Sequence, residues 1–332
     1  MFHYEKDSDN IVTITMDMQG RSANVINEAF GKLWLETIDK LEKEKAEIAG
    51  VILTSAKSTF FAGADIDDLF KQTDAKLIFD MCEGLKAQLR RLETLGKPVV
   101  AALNGTALGG GLEIALACHY RIALNNPKAQ FGLPEVGLGL LPGGGGIIRL
   151  TRMIGLQPAL PLLTEGKRLK VKEAVSNGII NEMAETPEDM IAKAKAWIKA
   201  NPKAINPWDD KGFKFPGGDA RNPKVAGMIP IVPAMTKKKT HGNYPAVEAI
   251  INTAVEGSVV DFETACRIES RYFTSLAIGQ VSKNMINTFW YNLNAINAGG
   301  SRPKGIEKYT TKKVGVLGAG MMGAGIAYVT AL

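Results

Sequence analysis

The 332-residue sequence predicts an α/β fold, and three observations carry that expectation. Apolar runs of strand length at residues 11–18, 50–54 and 98–103 alternate with longer stretches whose apolar residues recur at helical spacing. A glycine triplet, Gly109, Gly110 and Gly111, stands where one of those short runs ends and a helical run begins. Residues 313–323 show the same order again: apolar run, glycine turn, helical run.

Residues 11–18 alternate as a half-buried strand should, and residues 20–24 then turn the chain into a helix at about 27–44. Phe30, Leu33, Trp34, Ile38 and Leu41 form its apolar stripe. Residues 50–54 read as a buried strand, followed by a loop to Asp65, which suits the N-cap of a helix near Ile66. A helix over 74–94 stops before Gly96 and Pro98. Strand 98–103, helix 112–118, strand 120–123, a turn containing Glu135 and helix 144–154 complete the α/β part. Residues 188–200 form an amphipathic helix. The next stretch, 201–245, holds seven of the 15 prolines, Gly217-Gly218 and the run Lys237-Lys238-Lys239, so an irregular surface linker is expected. Helix resumes at Ala246 and breaks near Gly257-Ser258. It then runs over 261–296, with Phe262, Ala265, Ile268, Tyr272, Leu276, Val281, Met285 and Phe289 as the buried stripe.

With 45% hydrophobic residues and a near-neutral mean hydropathy, the chain can bury a sizeable core. Its first residues contain no basic region followed by an apolar run, and no apolar stretch approaches the roughly 20 residues a bilayer requires. A cytoplasmic protein without a transmembrane segment is expected. Cys82, Cys118 and Cys266 are odd in number and lie in apolar helical contexts, as reduced buried thiols do. His3, His119 and His241 are equally scattered, so no metal site is expected, and His119 reads as a partly buried, hydrogen-bonded side chain. Of the net charge of +6, residues 191–260 supply 11 Lys/Arg against 5 Asp/Glu. Without aromatic interleaving the lysine run reads as a solvated face and not as a nucleic-acid site, with attraction of a polyanionic ligand or an acidic partner as secondary readings.

The chemistry is concentrated in residues 104–149. A glycine-rich strand-to-helix junction presents free backbone N–H groups and the positive end of a helix dipole, which suits a developing negative charge. Glu113 lies in the first turn of the helix after the triplet, and Glu135 follows 22 residues later in Phe131-Gly-Leu-Pro-Glu135. Two carboxylates in apolar surroundings raise each other's pKa, which keeps one protonated beside one ionised and supplies general acid and general base in one pocket. Taken singly, Glu113 also fits a dipole-matching residue and Glu135 a helix start.

Four blocks occur together: Phe61-Ala62-Gly63-Ala64-Asp65-Ile66, Ala107-Leu-Gly-Gly-Gly-Leu-Glu113, Phe131-Gly-Leu-Pro-Glu135 and Leu140-Leu-Pro-Gly-Gly-Gly-Gly146. Jointly they resemble the signature of the enoyl-CoA hydratase/isomerase (crotonase) family. The resemblance implies a crotonase (ClpP-like) spiral of ββα units over 1–200. It implies an oxyanion hole for an acyl-CoA thioester from the N–H groups of Ala62 and Gly110, donors commonly worth a few kcal/mol each. Glu113 would deprotonate the attacking water and Glu135 would protonate the carbon beside the carbonyl. Isomerase activity would rest on Glu135. Arg21, Ala23, Gly63, Ala64, Asp65 and Gly109 would line the substrate site, although Arg21 equally fits a surface charge. No cofactor is implied for this reaction beyond the CoA of the substrate.

The loop Asn125-Asn126-Pro127-Lys128 lengthens the interval between the glutamates, in the manner of multifunctional fatty-acid oxidation proteins. Gly318, Gly320, Met322 and Gly323 fit a dinucleotide fingerprint in its required context. They resemble the start of a 3-hydroxyacyl-CoA dehydrogenase domain. The acidic residue expected about 20 positions on is missing before Leu332. The expected organisation is thus a hydratase domain at 1–200, a linker with long helices at 201–310, and the first strand and helix of a Rossmann domain at 311–332. NAD would serve only a longer chain, and a thiolase subunit is the partner the resemblance implies. Two rivals stand: another crotonase-type acyl-CoA reaction, and a non-catalytic module that docks a thiolase.

Overall fold

The computed structural model describes residues 2–307 and 309–332. Eight strands are present among them: β1 (Phe2–Lys6), β2 (Ile11–Met16), β3 (Gly50–Ser55), β4 (Val99–Leu103), β5 (Ala107–Leu108), β6 (Tyr120–Leu124), β7 (Phe131–Gly132) and β8 (Glu182–Ala184). Six of them form one sheet in the order β1-β2-β3-β4-β6-β8, while β5 and β7 pair separately. Only β1, which the sequence pattern did not predict, is antiparallel. Asn10, at φ 58°, closes its turn, and Asp7 accepts hydrogen bonds from the Asp9 and Ile11 N–H groups. The other strands are joined by crossovers, as parallel pairing requires.

A parallel sheet is covered on both faces, so its strands alternate between two apolar environments and not between core and water. Val12, Ile14, Val51, Leu53, Val99 and Ala101 face the main core, with Phe30, Trp34 and Ile38 of the helix Glu28–Glu44. Ile11, Ile52, Val100 and Ile122 face the other way, onto Met190, Ala194 and Ile198 of the helix Pro187–Ala200. The expected cap at Asp65 is formed. Asn27 and Asp65 accept hydrogen bonds at the starts of Glu28–Glu44 and Ile66–Lys71, and Asp74 does so for Ala75–Glu93. The three cysteines are buried and free. Nδ1 of His119 accepts from the Val99 N–H, and burial lowers its pKa.

The chain divides into two compact units, Met1–Tyr291 and Asn292–Leu332. Within the first, helices Pro245–Gly257 and Phe262–Ala277 share the main core through Ile250, Ile251, Phe262 and Ala265, so segments expected on either side of residue 200 are packed together. The proline-rich stretch also contributes, with Trp208 stacked on Phe262 at 5.9 Å. It includes a helix, Ile231–Thr240, whose lysine run is exposed. The single helix expected over 261–296 is interrupted. Gly279 is extended between Phe262–Ala277 and Gln280–Met285, and a π-helical stretch, Ile286–Asn292, follows. The break resets the helical phase, which leaves the expected core residues Val281 and Phe289 exposed while Met285 stays buried.

In the second unit the expected strand at 313–318 is absent: these residues have no strand partner among the described residues, and a strand without a ladder has nothing to hold it extended. The helix Met321–Ala331 does form after Gly320. No helix among the described residues is long and apolar enough to cross a membrane.

Candidate active site

Three chain segments are drawn together by a few backbone hydrogen bonds. The short parallel pair β5/β7 lets the Gly109 N–H donate to Gly132 O at 2.9 Å, setting the glycine triplet beside the turn that carries Glu135. The Leu108 N–H donates to Phe61 O at 3.2 Å and brings the 61–65 loop alongside. Asn24 pins that loop from below. Its buried side chain donates to Met16 O, Ser55 Oγ and Phe60 O, and accepts from the Met18 N–H.

Glycine is required at the crossing. Gly109 has φ 54°, and a Cβ there would stand 2.9 Å from Glu135 Oε1. A Cβ on Gly111 would meet Phe61 O at 2.4 Å, so only a bare backbone lets the helix Gly110–Leu116 start against this loop. Glu113 follows one turn later and is almost fully buried. Its Oε1 accepts from the Gly144 N–H at 2.7 Å and the Gly146 N–H at 2.8 Å, at the start of the helix Gly146–Ile154. Glu135 begins the 3-10 turn Glu135–Leu138, is half-buried overall, and has a buried Oε2 without a hydrogen-bond partner.

Burial and then the nearby Glu269 carboxylate raise Glu113 to about 7, against the pull of its two N–H donors. Burial and then Glu113 push Glu135 well above the ordinary carboxylate range. Each glutamate therefore resists ionising beside an ionised other. At neutral pH such a pair holds a proton on one member, and Glu113, with two N–H donors favouring its anion, is the member that ionises first.

The expected oxyanion donor Ala62 is corrected by the structure. Its N–H donates to Asn24 O at 2.9 Å, which removes it as a free donor. Two residues on, the Ala64 N–H has no partner among the hydrogen bonds of the described residues, because the Ile26 bridge uses Gly63 O and the Asp65 N–H instead. Gly110, first in its helix, likewise has an uncommitted N–H, and a Cβ built on Gly110 would lie 3.7 Å from Ala64 N. Ala64 and Gly110 are thus the free pair. Around them, Gly63 has φ 106° and packs against Leu108 O, and Ala23 is half-buried. Asp65 is buried, caps Ile66–Lys71 through the Asp67 N–H, and pairs with the exposed Arg21 at 2.8 Å. The Gly109 N–H is committed to Gly132, so Gly109 contributes close approach and not a donor.

Three supporting groups escaped the sequence reading. Glu269 lies on the helix Phe262–Ala277, wholly buried, with Oε1 accepting from the Gly145 N–H and Oε2 from the Ile147 N–H. Lys86 pairs with it at 3.1 Å. Glu93 and Arg149, both buried, make a bidentate pair at 2.8 and 2.9 Å, and Arg149 also donates to Gly144 O. A signal existed for Glu269: it falls four residues after Ala265, on the apolar face of its helix, where an unpaired charge is costly.

At the C-terminus, Gly318 has φ 94°, and a Cβ on Gly323 would collide with Gly318 O, so the glycine turn of a dinucleotide fingerprint is formed. Gly320 precedes the helix and Met322 lies on it, exposed. The paired strand that should precede such a turn is not found among the described residues, and the fit to NAD stops at the turn. No cluster of three or more His, Cys, Asp or Glu among the described residues is placed to hold a metal.

The chain is 36% identical over 338 residues to a protein of Idiomarina loihiensis named fatty acid oxidation complex subunit alpha, covering 99% of this chain and 46% of that one. A Shewanella halifaxensis protein of the same name matches at 36% over 337 residues, with coverages of 99% and 46%. The chain thus spans about half the length of the curated relatives it matches. Among solved structures, an enoyl-CoA hydratase from Bacillus halodurans aligns at 25% identity and TM-score 0.61, over 86% of this chain and 99% of that one. The human mitochondrial delta3-delta2-enoyl-CoA isomerase, at 21% identity and TM-score 0.62 over 89% and 98%, shares the fold. The family model described as Enoyl-CoA hydratase/isomerase matches residues 6–207. The chain belongs to the enoyl-CoA hydratase/isomerase family.

Proposed function

We propose that this chain adds water to a trans-2-enoyl-CoA to give a 3-hydroxyacyl-CoA. The observation that carries the reading is a pair of carboxyl groups, Glu113 and Glu135, both held above the ordinary range, with Glu135 against Gly109 beside the free N–H groups of Ala64 and Gly110. The thioester oxygen sits between those two donors, which stabilise it as negative charge develops. Ionised Glu113 takes a proton from water while the water oxygen bonds to the β-carbon. Protonated Glu135 gives its proton to the α-carbon. The O–H bonds of water and of Glu135 and the C=C π bond break, an O–H bond on Glu113, one C–O and one C–H bond form, and exchange with solvent restores the two glutamates. Arg21, Ala23, Gly63 and Asp65 line the approach for the CoA moiety, and Glu135 acting alone moves a double bond.

Glu135→Gln should abolish both hydration and trans-3-enoyl-CoA isomerisation, and Glu113→Gln should reduce hydration by a factor of 10² or more while sparing isomerisation. Retention of both activities in the Glu135 variant would contradict the assignment. In a longer chain the reading extends to fatty-acid β-oxidation in the cytoplasm with NAD-dependent oxidation of the product, supported by the Gly318–Gly323 turn and the name of the relatives. The relatives' name makes them subunits of a complex, and a thiolase is the partner that the family resemblance implies for such a longer chain.

A further inference from the structure

Four consecutive N–H groups at the start of the helix Gly146–Ile154 are shared alternately by two carboxylates from distant segments. Gly144 and Gly146 donate to Glu113 Oε1, at 2.7 and 2.8 Å. Gly145 and Ile147 donate to Glu269, at 2.7 and 3.0 Å. The glycines make this interleaving possible. A Cβ on Gly144 would stand 2.8 Å from Glu113 Oε2, one on Gly146 2.8 Å from Glu113 Oε1, and one on Gly145, at φ 96°, 2.1 Å from Arg149 Nη1.

Glu269 is itself fixed. Lys86 Nζ pairs with its Oε1 at 3.1 Å and donates to Cys266 O at 2.6 Å and Ser270 Oγ at 2.7 Å, which ties the helices Ala75–Glu93 and Phe262–Ala277 to the loop. We propose that Glu269 is a positioning residue of the hydration reaction: by taking the Gly145 and Ile147 N–H groups it orients the loop so that Gly144 and Gly146 grip one oxygen of Glu113 and leave the other for the attacking water.

This rests on the hydratase reading. Its electrostatic consequence follows from the same contacts. A buried carboxylate that shares a helix start with Glu113 disfavours a second negative charge there, and Glu269 is the largest influence on Glu113 after burial. The charged and titratable groups facing Glu113 are Glu269 from the Phe262–Ala277 helix, Lys86 and Cys82 from the Ala75–Glu93 helix, and Glu135 from its turn. Arg149 reaches the same loop at Gly144 O. Lys86 acts on Glu113 by charge in the opposite sense to Glu269 and more weakly.

The test compares Glu269→Gln with the unaltered 332-residue chain by two readouts. In hydration of a short trans-2-enoyl-CoA, KM should stay within about twofold, kcat at neutral pH should fall roughly tenfold through misplacement of the base, and the acid limb of the kcat profile should move to lower pH. Infrared titration of the carboxyl band that disappears in Glu113→Gln should move in the same direction without reference to activity. Should the buried Lys86 left unpaired prevent folding, Lys86→Gln/Glu269→Gln removes both charges together, and the shift should persist in the same sense but be smaller. An unaltered chain that fails to hydrate overturns the hydratase reading and the positioning role with it, whereas the infrared arm separately decides whether Glu269 sets the titration of Glu113. A folded variant in which the Glu113 titration is unmoved overturns the inference.

Discussion

Glu113 is held in a state that its own chemistry resists. Its raised pKa inverts the usual contribution of a carboxylate to stability. A group with an ordinary value of 4.5 and a folded value of about 7 binds a proton more readily folded than unfolded. Stability from this group is therefore complete below about pH 4.5 and declines as pH rises towards 7, reaching an order of 3 kcal/mol. Glu113→Gln should accordingly raise the melting temperature more at pH 8 than at pH 5, and an equal change at both would refute the raised pKa of Glu113. The two glutamates and the glycine triplet were legible in sequence, because residue type and local context define them. Which N–H of the 61–65 loop is free was not legible: the Ala62 N–H is taken by Asn24, a residue from another segment, and only the pairing shows that Ala64 is the open donor.

The helix Gly146–Ile154 links the site to the core. Arg149, in its first turns, spans from Gly144 O to the Glu93 carboxylate, and both charged side chains are fully or almost fully buried. A buried pair of this kind is costly to break on one side only, since the remaining charge stays desolvated. Arg149→Met should thus lower the free energy of unfolding in urea by roughly 3–5 kcal/mol, whereas a loss under about 1 kcal/mol would mean that Glu93 finds another partner or water. At this scale the cap Asp65 and the long helices could be read from periodicity and capping chemistry. The short strands β5 and β7 could not, for two residues carry no period, and their pairing depends on a partner 24 positions away. The break at Gly279 was hidden for a similar reason: Val281 and Phe289 continue the apolar spacing, and only the change of phase exposes them.

For the molecule as a whole, the parallel sheet supplies the frame while helices from beyond residue 245 complete the site. Ile250, Phe262 and Ala265 lie in the same core as the sheet, and Glu269 reaches the Gly145 and Ile147 N–H groups from there. The residues after Tyr291 form a unit of their own whose helix Met321–Ala331 has no buried residue. A chain ended at Tyr291 should keep the melting temperature within about 2 °C and retain hydration, while one ended at residue 245 should fail to fold, because it strips apolar side chains worth roughly 1.5–3 kcal/mol each from the core. Circular dichroism with thermal melting reads both outcomes. The α/β frame and the family were visible in the sequence, since the four motif blocks are local. The contribution of the distant helices was not, because the stripe that packs them reads equally well as a plain linker.

The most direct test of the two-glutamate account is the loss of the conjugated enoyl-thioester absorbance when the purified chain meets a short trans-2-enoyl-CoA, with NAD present. The account predicts rapid loss by the unaltered chain, a loss slowed at least a hundredfold by Glu113→Gln, and no formation of NADH. A correctly folded chain that leaves the absorbance unchanged would contradict it.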